Sequence, residues 1–455
     1  MNSVEKVKGT GVDEPLSIPK SLFLGLQSIL ACNLFLGPVV IIGALKLNAA
    51  SATQLLAATF LTCGIATAIQ SGLFMKYPIV QGMSFATIGA VLAISAKSDM
   101  ATALGSVIPA SIVIALVGYF GVFSWIKRKL IPSIVAGTVI ICIGITLQFI
   151  TWNSLLSAPG HTGINLMEAG VSFIALIILM FLGAKPNRMG KIIRIGSVIY
   201  AMVIGTVFSA FFGSVNFQPV IDASWFAIPK FFPYGTPKFE ITSSLVMTFI
   251  LLVVLVESLG SWFTTSLIVK DNMDEKRVNI GVIGEAIGCI IAPLFGSLPV
   301  TSYGSNPGVL ALTKVYSRFA AVGAGAVCIS MALCPKLMAL IAIIPSTVIW
   351  GAYSIVAVLI TMSGFDSVKS YLFNDRNQMI IGLSVLSCIG ANIIPATIVA
   401  KMPLLFSYIF GSAIVVGALA SIILNLVLPK GEEAKDFAAG FEEDKLHKDE
   451  IVSLQ

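Results

Sequence analysis

Two stretches of this chain place irregular backbone inside otherwise apolar runs. One is Tyr77-Pro78-Ile79-Val80-Gln81-Gly82-Met83-Ser84-Phe85-Ala86; the other is Ser297-Leu298-Pro299-Val300-Thr301-Ser302-Tyr303-Gly304-Ser305-Asn306-Pro307-Gly308. Each starts with Pro and two β-branched residues, then passes through Gly and Ser into an apolar helical segment. Hydrocarbon cannot satisfy bare N–H and C=O groups. Backbone of this kind therefore survives at membrane depth only when packed in protein or lining a cavity. A matched pair of such interruptions, one in each half of a chain, points to a ligand site between them.

The composition is that of a membrane protein. Hydrophobic residues make up 57% of the chain and charged residues 11%, with a mean hydropathy of +0.96, far from the balance of a soluble domain. Segments of about 17–25 apolar residues recur, each long enough to cross a bilayer. The net charge of +6 would suggest a nucleic-acid partner in a soluble protein. Here the basic residues fall between spans, where they set topology, and no nucleic acid is expected. The polar first twenty residues do not read as a cleavable signal. The seven cysteines are scattered through apolar runs as small hydrophobes, and the two histidines, His161 and His447, lie in a loop and in the tail. Neither set has metal-ligand spacing, so no metal and no cofactor are expected.

Spans are expected near 21–43, 53–74, 78–95 (broken), 102–125, 130–150, 167–184 and 192–213, then, after a connection at 214–240, near 241–269, 278–296, 299–313 (broken), 319–335, 338–362, 378–396 and 403–428. The reading is an all-α integral membrane protein of 14 transmembrane segments. With the N-terminus cytoplasmic, every arginine falls in an inner loop, as the positive-inside rule demands. Both termini are then cytoplasmic, and the charged tail from Lys430 reads as solvated. Seven plus seven is odd plus odd, so two related halves must insert in opposite senses, as a 7+7 inverted repeat. Pro78 answers Pro299, and Leu130-Ile131-Pro132-Ser133 recurs as Ile343-Ile344-Pro345-Ser346.

Ionisable groups inside spans are functional candidates by default. Glu257 stands in the middle of an apolar run, with Ser258 beside it and Ser261 about one turn on; Gly260 would let another backbone approach closely. Such a carboxylate can exchange a proton, or it can simply bridge helices. Glu285, in Gly284-Glu285-Ala286, is a secondary candidate with the same two readings. The stretches 80–85 and 300–303 could pair as short β-strands in broken spans 3 and 10. The half-helices after them would aim free N–H groups and positive dipole ends into the cavity. Backbone N–H groups of Phe85, Tyr303 and Gly304 are then available to a ligand, with Ser84 nearby. Phe85 and Tyr303 offer faces for a flat ring, though Phe85 could equally be core. Gln27, in the first span, could donate to a ligand or bridge helices.

At these residues the chain resembles the nucleobase–cation symporter-2 family, also called the nucleobase–ascorbate transporter family, over nearly all of residues 20–428. The family signature in the second broken span is matched by Asn306, Gly308, Thr313 and Lys314 and departs only at Ser305, where the family has Gln, Glu or Pro. Glu257 falls on the family's substrate-binding Glu. Ser258, Leu259 and Gly260 continue as in purine-transporting members, but Ser261 replaces an Asp. The His of uracil members is missing, and the family's first-span Gln-His pair reads Gln27-Ser28.

What the resemblance implies is a core domain (21–126 and 241–336) and a gate domain (127–213 and 337–428), flanked by a cytoplasmic segment 1–20, an extracytoplasmic connection 214–240 and a tail 429–455. Substrate sits in the core between the broken spans, and the gate forms a homodimer. The expected activity is import of a nucleobase, of the xanthine, urate, guanine or hypoxanthine type, across a cell (inner) membrane with a proton or sodium ion. Glu257 would hold both substrate and proton. Ser261 and Ser305 reach less far than the family's residues, and a site lacking a hydrogen-bond partner discriminates differently. A carrier of ascorbate, another oxygen-rich ring or an anion is the alternative. A membrane enzyme is disfavoured because no DxxxD or DDxxD pair occurs, and a channel because no polar ring repeats across spans.

Overall fold

In the computed structural model, the described residues are 11–122, 132–158, 160–185, 187–271, 273–304, 306–369, 375–399, 401–402 and 404–429. The expected tail, and Ser305, lie outside them.

Among the described residues there are twenty α-helices, one π-helical turn (Gln70–Phe74) that continues the third of them, and two three-residue strands. The first group is α1 (Ile18–Cys32), α2 (Leu36–Ala44), α3 (Ala49–Ile69), β1 (Gln81–Met83), α4 (Ala86–Lys97), α5 (Met100–Gly105) and α6 (Val107–Tyr119). Next come α7 (Ser133–Leu156), α8 (Thr162–Gly183), α9 (Arg188–Ala210) and the short α10 (Gln218–Asp222). The second half holds α11 (Ile241–Val269), α12 (Glu275–Leu294), β2 (Val300–Ser302), α13 (Asn306–Thr313), α14 (Arg318–Ala332) and α15 (Pro335–Ala342). The chain continues as α16 (Ser346–Val368), α17 (Asp375–Ile393), α18 (Ala396–Val399), α19 (Leu404–Phe410) and α20 (Ala413–Val427).

Local chemistry sets many of these ends. Asn48, Asp99 and Asp274 each accept a backbone N–H from the first turn of α3, α5 and α12, satisfying donors that have no intrahelical partner. Pro132 and Pro345 stand just before α7 and α16; each fixes an extended residue from which the helix starts.

Among the described residues, seven helices are long and apolar enough to cross a membrane, eight if α14 and α15, bent by 85°, form one span. Several of the continuous spans expected from sequence are divided instead. The run 21–43 becomes α1 and α2, because Asn33 turns left-handed (φ 55°) between them. The run 403–428 holds α19 and α20, whereas α5 and α6 join through the helical Ser106 and together make one span, Met100–Tyr119, as expected. Hydropathy averages over such breaks, so a window sees one span where the backbone makes two pieces.

Packing falls into two sets. The helix α3 lies against α12, α14 and α15, α1 against α14, and α6 against α11 and α12. Separately, α7 packs on α16, α17 and α20, and α8 on α9 and α16. The two strands bring the distant interruptions together. They pair antiparallel, Gln81 opposite Ser302, Gly82 opposite Thr301 and Met83 opposite Val300, so each supplies the other's backbone partners in the buried interior. The Ser84 N–H donates to the Pro299 carbonyl at 2.9 Å and the Tyr303 N–H to that of Val80 at 3.0 Å, extending the ladder at both ends.

Candidate functional site

Strand β2 ends at Ser302, and the chain then opens at Gly304. Glu257, on α11, faces that opening: its Oε1 lies 4.0 Å from where a Cβ on Gly304 would stand. Glu257 is half-buried and has no hydrogen-bond partner among the described residues. A carboxylate in apolar surroundings is costly unless paired or protonated, which makes this one a candidate to take a partner from outside the chain. Beside it, the backbone N–H groups of Phe85 and Gly304 donate to no described acceptor. The expected third donor is not available, since the Tyr303 N–H is spent on Val80. Strand pairing, which satisfies buried backbone first, took it.

Aromatic rings frame the opening. Phe85 lies 5.8 Å from Tyr303 and 6.1 Å from Tyr353, tilted against both, and Tyr353 meets Trp350 edge-on at 6.2 Å. Phe85 is half-buried, Tyr303 buried. Sequence reasoning missed Tyr353. It stands in the apolar run of α16 with nothing nearby to mark it, yet its hydroxyl is buried without a partner. The hydroxyls of Ser84 and Ser261 are buried and unpartnered too. Unsatisfied buried hydroxyls are uncommon and require an explanation such as a ligand.

Glu285 does something different. It accepts from Ser258 Oγ at 2.5 Å, from the Ser302 N–H at 3.2 Å and from Ser302 Oγ at 3.0 Å. Ser302 Oγ in turn accepts from Trp262 Nε1 and from Gln81 Nε2. The carboxylate thus fastens α12 to α11 and to β2, the bridging reading of the two given above. Ser258 therefore serves Glu285 rather than Glu257. Gly260 is corrected as well: it is exposed, with no atom within 4 Å of a Cβ placed there, so no backbone approaches it. It faces away from the helix's packed side.

The signature residues hold the frame. Asn306 Nδ2 donates to the Pro78 carbonyl at 2.8 Å, tying the second interruption to the first. Lys314 is exposed in a left-handed turn after α13 (φ 57°). Gly308 and Thr313 lie within α13. Gln27 is half-buried on α1 and makes no hydrogen bond among the described residues. Volume alone does not choose the site. A cavity of about 490 Å³ between α7 and α16, lined by Gln148, Phe149 and Trp152 among others, carries no charged side chain. Glu257 is preferred because an unpartnered carboxylate has a chemical demand that an apolar void lacks.

Residues 19–397 match the Permease family, Xan_ur_permease. The chain belongs to that family. The nucleobase transporter PlUacP of Paenibacillus larvae subsp. larvae is 30% identical over 427 residues, covering 92% of this chain and 96% of the relative. The uric acid permease PucK of Bacillus subtilis is 29% identical over 415 residues, 89% of this chain and 94% of the relative. Among solved structures, the transmembrane domain of a cyanobacterium bicarbonate transporter, BicA, has a TM-score of 0.57 at 16% identity, covering 89% of this chain and 96% of that one. The latter shows a shared fold. This permease is a multi-pass membrane protein, and its relatives are named permeases and transporters rather than enzymes. The resemblance to the nucleobase–ascorbate transporter family is borne out.

One further carboxylate was not anticipated. Glu168, on α8, is only 2% exposed and accepts from Ser214 Oγ at 2.6 Å and from Thr347 Oγ1. It is the seventh residue of α8, where a hydropathy window absorbs it, and both its oxygens are engaged.

Proposed function

We propose that this permease carries a nucleobase, of the purine type, across a cell membrane together with a proton. The observation that carries the reading is Glu257: a half-buried carboxylate with no described partner, beside the unengaged N–H groups of Phe85 and Gly304. An oxopurine such as xanthine or urate presents ring N–H donors and carbonyl acceptors on one edge, which these groups complement. Phe85 and Tyr353 offer faces for the ring. Family membership and the uric acid and nucleobase relatives support the same substrate class.

In this reading the chain has fourteen spans in an inverted repeat, both termini cytoplasmic. A core (21–126, 241–336) moves against a dimerising gate (127–213, 337–428). Glu257 accepts the ring N–H and holds the proton. Radiolabelled purine uptake into proteoliposomes, driven by an imposed pH gradient, tests it. Glu257→Gln is expected to abolish accumulation; full, still pH-dependent uptake by that variant removes Glu257 from the mechanism.

A second reading has one observation in its favour. The unpartnered hydroxyls of Ser84, Ser261 and Tyr353 suit a ring richer in oxygen, such as ascorbate. If ascorbate suppresses uptake more strongly than xanthine does, this second reading replaces the first.

A further inference from the structure

The connection between α9 and α11 is not a free loop. The Ala227 N–H donates to the Leu333 carbonyl at 3.1 Å, and the Lys336 N–H to that of Ser224 at 3.1 Å. Phe232 donates to Leu294 at 2.8 Å and Lys238 to Ala101 at 3.2 Å. Gln54 Nε2 reaches the Lys230 carbonyl at 3.4 Å, and Lys238 pairs with Asp99. Residues 224–238 are thereby fastened to the ends of α3, α5, α12, α14 and α15. Ser214, by contrast, is held on α8 through Glu168.

Fastened so tightly, this strap still turns large apolar side chains outward. Trp225 is 76% exposed, Phe226 67%, Ile228 69% and Phe239 67%. The backbone bonds hold the strap on the body while these four side chains stay exposed. The patch is also continuous with surfaces that lipid must cover. Ile241, two residues after Phe239 and 81% exposed, begins the membrane-crossing α11. Lys336 Nζ stands 5.0 Å over the Trp225 ring while bonding the Ile221 carbonyl at 3.3 Å. Trp, with an apolar ring and a polar N–H, is enriched where headgroups meet acyl chains.

We propose that residues 225–239 form an interfacial anchor: the strap lies in the headgroup–acyl boundary of one leaflet, its occupant phospholipid, and is carried on the α3–α5–α12–α14 body. The inference does not rest on the substrate or on the coupling ion. Exposed apolar residues of this size in a rigid segment bury their area in the boundary layer. A second copy of the chain is the competing occupant.

A nitroxide label separates these possibilities. Ile228→Cys is introduced with Cys334→Ser, since Cys334 is half-buried and every other cysteine is buried. The labelled full chain is reconstituted in phosphatidylcholine–phosphatidylglycerol vesicles and in nanodiscs holding a single copy. The expected result is that dissolved oxygen relaxes the label more than a neutral nickel chelate does, equally in both. A label relaxed mainly by the chelate places the strap in water and overturns the proposal. Protection seen in vesicles but lost in single-copy discs assigns the face to a second copy and also overturns it. Phe226→Cys, labelled in the same way, repeats the measurement should the first variant fail to fold.

Discussion

The Tyr303 ring occupies the space a side chain on Gly82 would need: a Cβ there would lie 2.1 Å from Cδ2 and 2.6 Å from Cε2. Gly82 sits in β1 and Tyr303 just past β2, so the strand pairing itself presses the ring onto bare backbone. Gly82→Ala should therefore displace Tyr303 from Phe85. Overpacking of this kind costs about 1–3 kcal/mol. We expect a lowered melting temperature and loss of ligand-induced thermal stabilisation; a variant that melts and binds as the parent does would show that Tyr303 has room to move.

Ser302 is the node of the Glu285 network. Ser302→Ala removes one donor from the carboxylate and takes the acceptor from Trp262 Nε1 and from Gln81 Nε2. Leaving such groups unpaired costs about 1–3 kcal/mol each. Denaturation in detergent should show destabilisation of that order. Adding Glu285→Gln should cost less than the sum of the two changes, because both act on one network. Strict additivity would mean that the two groups are not coupled.

Tyr353→Phe deletes a hydroxyl that has no described partner. Removing an unsatisfied buried hydroxyl is neutral to mildly stabilising, by up to about 1 kcal/mol. Stability should thus be kept or raised while purine affinity falls, as isothermal titration would report. Unaltered affinity would assign the ring a packing role alone.

Asp99 makes a pH prediction. Its carboxyl is held down to about 2 by Lys238 and by the Thr102 hydroxyl and N–H, below the ordinary value near 3.9. A carboxyl depressed on folding contributes stability that is present above its unfolded value and lost as pH falls through the folded one. The melting-temperature gap between parent and Asp99→Asn should be steady from pH 7 to about 5, then narrow toward pH 2. A gap that widens on acidification contradicts the assignment.

Much of this architecture was legible because lipid leaves few options. Pro78 and Pro299, each followed by β-branched residues, mark extended backbone, and extended backbone buried in an apolar interior has to find a partner. Glu257 stood out from cost alone: a carboxylate in such a run is a functional candidate by default. What escaped depends on three-dimensional neighbours. The roles of Ser258 and the Tyr303 N–H followed from which acceptors reached them first. Tyr353 has no local pattern; only the helix that delivers it beside Phe85 gives it meaning. Asn33 split the first expected span through one left-handed residue, which no average over hydropathy registers.

The bond between Gln81 and Ser302 joins residues 221 positions apart. Closing so long a loop is entropically costly and slow relative to local helix formation. The pocket can therefore exist only once the chain has been synthesised past β2 and both interrupted segments have met. A nascent chain ending before Val300 holds helices and no site. If the proposed site is the binding site, binding competence follows that meeting, and a ligand supplied during insertion would have nothing to rescue before it.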